Sequence, residues 1–460
     1  MLVDEEAIYQ IFLRANAICI RADETQPGDV YVATRQKMPA RGLPRLIWVL
    51  FRFLEMRLAW LIPALVRLGA RTPWAHDLQR IAAFQLDGNA YAAEALRRGA
   101  ACAIVDHPIA ARDPRCLLVP DANALLTRLA QRHRQTLGIP VIGIPGSVAK
   151  TTTKDLVRAV LAQQYRVIAT PGNKNLPAHI AGLLFAVRPD TQALILELGG
   201  HGPGTIARLC ELAAPTHGVL TRVGVAHLNN YGSVEGIRRG KWELVDYLDK
   251  HGGHFFANQD DDWIRAQPTP AGRTTPYGVT APGGVRGEAI GADPFLRARW
   301  FPEGESASRE IRTQLVGLYN LENVLAAIAV GEQLGVPRDQ IVAGIEACPP
   351  AENRSQMVTF GGNTFILDSG SINPTSLSAA LANFAGLDVP RKLVILADML
   401  RLGSTARQEH VNAIAQVRAM GAVEAVFAGP NFWQARDPAF GRYFRGPPCA
   451  AGGWRKTRQG

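Results

Sequence analysis

No stretch of this chain carries the roughly 20 nearly uncharged residues that a membrane-spanning helix needs. The nearest approach, residues 43–70, is interrupted by Arg52, Glu55 and Arg57. The opening Met-Leu-Val-Asp-Glu-Glu lacks the basic start and apolar core of a secretory leader. Cysteine is sparse. Its six residues (Cys19, Cys102, Cys116, Cys210, Cys348, Cys449) have no paired ligand spacing, which argues against a zinc site or a disulfide framework and fits a reducing cytoplasm. Aromatics make up only 7% and are not interleaved with basic patches, as a single-stranded nucleic acid groove would require. There is no low-complexity segment and no internal repeat.

What is present suits a globular protein of about three domains: 460 residues, 47% hydrophobic, with 44 Gly and 30 Pro for turns. The net charge of +10 favours acidic partners such as nucleotides or an anionic membrane surface, although an arginine-rich proteome would give the same balance.

The most informative stretch is Val141 to Thr153. Val141 to Ile144 read as a short buried strand, Gly146 to Ala149 as a tight turn, and Lys150 onward as a helix with Leu156, Val157, Val160 and Leu161 on its apolar side. That is the layout of a phosphate-binding loop. The amides of Gly146, Ser147, Val148, Ala149, Lys150, Thr151 and Thr152 surround a polyphosphate at the positive end of the helix. Lys150 reaches its outer oxygens and Thr151 can ligate Mg2+, with ATP the obvious ligand. Ala149 stands where a glycine usually precedes the lysine. If that position needs a positive φ, alanine costs on the order of 1 kcal/mol.

Residues 1–138 read as a small α/β domain and residues 139–346 as the nucleotide-binding domain. A linker at Cys348-Pro349-Pro350 precedes a third domain over 351–460, whose end from about Pro430 reads as an irregular tail. Within the first domain, residues 43–70 form a basic-flanked amphipathic helix with Pro63 as a kink. It is either a membrane-surface or partner-binding helix or an insertion folded onto its own domain, and liposome flotation with and without the segment separates the two. In the middle domain the strand Ala193 to Leu198 delivers Glu197 to the strand ends beside the loop, well placed for Mg2+. His227 follows another strand end, so a metal or phosphate role stands beside that of a plain loop histidine.

Taken in order, eleven stretches resemble the Mur ligase family, most closely the branch that joins D-alanyl-D-alanine to UDP-N-acetylmuramoyl-tripeptide. They are Pro27-Gly28-Asp29 with Val30 to Ala33, Asp87-Gly88 with the run to Ala100, Gly146 to Thr152, Gly172 to Asn175, Glu197-Leu198-Gly199, and His201 to Gly204. Val223 to His227, Lys241-Trp242-Glu243, Asn320 to Asn323, Asp368-Ser369 with Asn373-Pro374, and Ala397 to Gly403 complete the set. The resemblance implies an α/β, three-domain Mur ligase architecture with a central phosphate-loop parallel sheet. It implies a cytoplasmic, ATP- and Mg2+-dependent amide-forming ligase of peptidoglycan precursor synthesis, working through an acyl phosphate on small-molecule substrates and not on nucleic acid.

By the same resemblance Lys150 neutralises phosphate charge, Thr151 and Glu197 hold one Mg2+, and His227 serves a second. Lys241 matches a lysine that such ligases carbamylate, although by itself it reads as a surface lysine on a helix. Asn320 falls at the adenine, preceded by Tyr319 where histidine is more usual. Arg354 falls at the γ-phosphate and Asp368 near the ribose. Arg21, Asp87 and Gly88 are candidates for the UDP end, and Asn173 and Asn175 for substrate contact. The chain departs from the family pattern at Ala149, at Gly370-Ser371-Ile372, in the 43–70 insertion, and in lacking the closing glycine-aspartate and lysine-glycine-serine pattern, so the third domain reads as shortened. Two alternatives remain: a related ligase acting on another acid and amine, or a non-catalytic nucleotide-binding relative that engages a membrane or partner through 43–70.

Overall fold

The computed structural model describes residues 4–34, 88–108, 110–226, 228–350, 353–368 and 372–445. The 43–70 segment, Asp87 and His227 lie outside them. Two compact units emerge, residues 1–138 with 176–189, and residues 139–175 with 190–460. Among the described residues no helix is long and apolar enough to cross a membrane.

The first unit is built on four parallel strands in the order β1 (Ile18–Cys19), β2 (Val30–Val32), β3 (Cys102–Val105), β4 (Cys116–Leu118). Its strand cores are short and wholly apolar, as expected for a parallel sheet covered on its faces. The helix Ala92–Arg97 buries Ala92, Ala95 and Leu96 against Tyr31 and Ala103. The helix Ala122–Thr136 starts at Asp121, whose carboxylate accepts from the Ala124 amide. Packed on this helix is Pro177–Phe185, a segment that leaves the chain of the second unit. The His133 ring stacks on Phe185 at 4.9 Å, and Phe12 meets Phe185 edge-on at 5.2 Å. The sequence of this helix, apolar on most sides, places it within the middle domain by chain order. Its burying surface is the first unit.

The second unit centres on a nine-stranded sheet of order β13-β12-β11-β10-β9-β8-β5-β7-β6. Here β5 is Val141–Ile144, β6 Val167–Ala169, β7 Ala193–Glu197, β8 His217–Val219, β9 His254–Asn258, β10 Thr274–Gly278, β11 Val285–Ala292, β12 Phe295–Phe301 and β13 Arg309–Val316. The strands from β6 to β11 are parallel, while β11, β12 and β13 pair antiparallel as hairpins. After β5 the chain runs to β6 and β7 on one side and then to β8 on the other. The carboxyl end of β5 is therefore the switch point where such sheets bind ligands. The helix Leu321–Gln333 packs with Lys150–Leu161 over one face and is buried nearly all round, which its run of Ala, Val, Ile and Leu requires.

Beyond residue 350 lie the hairpin β14 (Gln356–Phe360) and β15 (Asn363–Leu367) and a parallel sheet of β16 (Lys392–Ala397), β17 (Val423–Ala428) and β18 (Arg442–Phe444). The helix Pro374–Ala385 begins with a capping box between Asn373 and Ser376. The tail expected from Pro430 is corrected here. The helix Pro430–Ala435 sinks Phe432 into this sheet's own apolar core, Asp398 accepts from the amides of Asn431 and Phe432, and β18 completes the sheet. A six-residue helix and a three-residue strand are too short to leave a periodic signal.

Candidate active site

Gly146 to Thr152 run from the end of β5 into the helix Lys150–Leu161. The turn is held from β8. The amides of Ser147 and Val148 donate to the Arg222 carbonyl at 3.1 and 3.2 Å, and the Thr221 hydroxyl donates to the Val148 carbonyl at 2.7 Å. Gly146 is obligatory, because a Cβ there would fall on the Thr221 hydroxyl. Lys150 Nζ donates to the Gly146 carbonyl at 3.1 Å, folding the side chain back over the loop. Its pKa is lowered, first by burial, against which Glu197 acts in the raising direction, and Arg354 lowers it further. Ser147 Oγ is buried without a hydrogen-bond partner among the described residues. An orphan hydroxyl, a turn opened by Gly146 and a half-buried cation at a helix N-terminus form a cradle suited to phosphate oxygens.

Ala149 occupies φ 64, ψ 8, the left-handed conformation that its alanine disfavours. Ala149→Gly is expected to raise the unfolding free energy by about 1 kcal/mol. Since alanine already holds the loop in this shape, ATP affinity should change by less than about threefold. Denaturant titration and calorimetry read the two quantities separately, and a large gain in affinity would show that alanine distorts the cradle.

Register pairs Ile144 of β5 with Glu197 of β7, which sets the carboxylate beside the loop. Glu197 accepts from the Thr151 hydroxyl at 2.7 Å and from the Asn175 amide at 2.8 Å. A hydroxyl and a carboxylate in contact at the helix start fit Mg2+, which takes few protein ligands and completes its shell with phosphate oxygens and water. The turn Gly172 to Asn175 is tied to the loop helix by Lys154, whose Nζ donates to the carbonyls of Thr170 and Gly172 at 2.9 and 2.8 Å. Asn175 thereby reaches Glu197, whereas Asn173 is exposed on the turn.

Lys241 is not a surface lysine. It is 2% exposed, donates to the Gly200 carbonyl at 2.9 Å, and has a pKa pushed down to about 7 by burial and then by Lys150, with Glu243 opposing. Helical periodicity alone does not disclose this, because the groups that bury it come from the loop after β7. Glu243, two residues on, accepts from the amides of Gly204 and Ala207 at 2.6 and 2.9 Å and so fixes that loop at the start of the helix Thr205–Ala213.

On the other flank Asn320 is buried at 1% exposure, with its amide donating to the Val316 carbonyl at 2.9 Å and its oxygen accepting from Asn323. Asn323 in turn accepts from Thr153 on the loop helix, so Asn320 is linked through hydrogen bonds to the phosphate loop. Tyr319 and Asn320 both meet the Ser355 hydroxyl, at 2.9 and 3.4 Å. The Tyr319 phenol is pushed up to about 12, first by burial and then by Asp368. Asp368 itself is raised by burial, with the Ser355 amide and Arg354 pulling the other way. Lys150, Thr151, Glu197, Lys241, Asn320, Arg354 and Asp368 thus all belong to the second unit. Arg21 lies in the first unit and is engaged at the surface by Asp23 and Glu24 at 2.6 and 3.2 Å. Gly88, in the same unit, accepts at its carbonyl from the Tyr31 hydroxyl at 2.8 Å. Thr221, Lys154 and Glu243 were not foreseen as supports of the site. Only Glu243 had a sequence signal, its place beside Lys241.

Sheet order, phosphate loop and strand-end acid define a phosphate-loop α/β protein whose site is shaped for a nucleotide. Residues 144–331 match the Mur ligase middle domain. The chain is 32% identical over 379 residues to the UDP-N-acetylmuramoyl-tripeptide--D-alanyl-D-alanine ligase of Treponema pallidum, covering 78% of this chain and 79% of that protein. It is 34% identical over 361 residues to the Mycobacterium tuberculosis ligase of the same name, covering 72% and 70%. The chain belongs to the Mur ligase family, alongside these D-alanyl-D-alanine ligases. Solved structures agree in fold: MurF from Acinetobacter baumannii has a TM-score of 0.72 at 22% identity, covering 93% of this chain and 84% of that one. MurF from Thermotoga maritima in complex with ADP also has 0.72, at 20% identity, covering 94% and 88%.

Proposed function

We propose that this protein is an ATP-dependent ligase that adds D-alanyl-D-alanine to UDP-N-acetylmuramoyl-tripeptide in peptidoglycan precursor synthesis. The observation that carries this is the assembly of Lys150, Thr151 and Glu197 at the switch point, in a chain that matches ligases of this name over about three quarters of its length. A cytoplasmic location follows from ATP as the substrate.

In the first step a carboxylate oxygen of the tripeptide attacks the γ-phosphorus and the bond to ADP breaks. The amine then attacks the acyl carbon, phosphate leaves, and the amine loses a proton. Two anions meet in the first step, so positioning and charge neutralisation dominate. Lys150 and Arg354 neutralise the transferring phosphoryl group, while Asn320 and Asp368 flank the nucleoside. Thr151 and Glu197 would hold one Mg2+ and His227 would serve a second, and the metal when bound would offset phosphate charge. Arg21, Asp87, Gly88, Asn173 and Asn175 are proposed contacts of the nucleotide-sugar peptide. Lys241, with a depressed pKa and no acid bonded to it in the described structure, supports carbamylation: only the neutral amine attacks CO2, and near neutral pH much of it is neutral.

Phosphate release from ATP and Mg2+ is the test, measured with the tripeptide nucleotide present, with and without D-alanyl-D-alanine. Release that requires both substrates is expected. Measurable ATP binding without release would overturn the assignment and direct the search to other acids and amines.

A further inference from the structure

Three glycines of the second unit make room for one residue, two of them for its side chain. A Cβ at Gly236 would overlap the Tyr231 carbonyl oxygen, one at Gly240 would overlap its ring, and one at Gly200 would lie 2.8 Å from its hydroxyl. Tyr231 ends the single helical turn Leu228–Tyr231. Gly232, at φ 76, then reverses the chain into the helix Val234–His251, which carries Gly236, Gly240 and Lys241. The ring is thus clamped at 7% exposure against the helix that bears Lys241.

The clamp directs the phenol towards Lys241. The same Cβ at Gly200 would lie 2.5 Å from Lys241 Nζ, so hydroxyl and amine converge on one point, with Nζ 5.5 Å from the ring centroid. Among the described residues the Tyr231 hydroxyl has no hydrogen-bond partner, a burial that phenylalanine in the same space would avoid. Burial, then Glu243, pushes the phenol up to about 12 against the opposing Gly202 backbone beside its oxygen, so it stays protonated with its own proton free to donate.

We propose that Tyr231 is a positioning residue that donates its hydroxyl hydrogen bond to a carbamate on Lys241. This rests on the carbamylation of Lys241 proposed above. In that reaction the neutral Nζ attacks CO2 and an N–C bond forms. One carbonyl electron pair moves onto oxygen, and one N–H proton leaves to solvent. The amine becomes an anion in a site almost closed to water, where an anion without donors is unstable. A fixed O–H beside it supplies a charge-assisted bond, and the orphan hydroxyl acquires its acceptor in the same event.

The experiment follows the full-length protein with isotope-labelled bicarbonate by carbon NMR, comparing wild type, Tyr231→Phe and Lys241→Met. The carbamate signal is identified by its absence in K241M. In Y231F half-occupancy should need about tenfold more bicarbonate than in wild type, with the ligase rate rising over the same range. Melting in bicarbonate-free buffer should stay the same or rise, which separates the effect from a packing defect. Half-occupancy at an equal or lower bicarbonate concentration in Y231F overturns the role of Tyr231 and leaves the carbamate intact. No Lys241-dependent signal in wild type at saturating bicarbonate overturns the carbamate itself, and this inference with it.

Discussion

Lys150→Met is expected to lower kcat for ATP-dependent phosphate release by about a thousandfold, close to 4 kcal/mol of transition-state stabilisation. Methionine keeps most of the apolar stem and removes the charge. In wild type that charge sits on the phosphate loop, bonded to the Gly146 carbonyl and held with its pKa lowered by burial. A half-buried cation on the loop acts on phosphoryl charge with less screening than one in open water. Removing it should cost the folded protein nothing, since a desolvated ammonium is not a stabilising group, so circular dichroism and the melting curve should match wild type. Steady-state kinetics decide the matter, and a loss of less than about tenfold would remove Lys150 from the chemistry.

Gly146→Ala is the second large effect, and it acts through shape. The new methyl would fall on the Thr221 hydroxyl, which is engaged at 2.7 Å by the Val148 carbonyl. Either Thr221 turns away and the loop loses its brace, or the loop shifts off β5. Destabilisation of about 2 kcal/mol or more is expected, with ATP affinity falling at least about tenfold. The double variant G146A with Thr221→Ala should recover part of both losses, because it removes the atom that collides. Strict additivity of the two changes in a denaturant and calorimetric cycle would sink this explanation.

The phosphate loop was legible because its parts are contiguous: an apolar strand, a glycine turn and a helix start carry Lys150 and Thr151 by spacing alone. Glu197 was legible for a related reason, since a strand followed by an acid and two glycines marks a strand end wherever the sheet is assembled. Lys241 was legible only through family resemblance. Its own helix exposes nothing unusual, and the wall that buries it, Gly200, lies 41 residues away. The end of the third sheet was missed for lack of length, β18 having three residues.

By itself the sequence determined the order of elements, the nucleotide loop and the family, because each rests on local periodicity, turn chemistry or residue spacing. Tertiary structure alone decided that Ala149 is left-handed, that Pro177–Phe185 packs with the first unit, and that Lys241 is desolvated beside an unpartnered phenol. The physical reason is common to all three. Backbone strain, burial and the pairing of polar atoms are set by neighbours far along the chain, and only the assembled contacts bring those neighbours together.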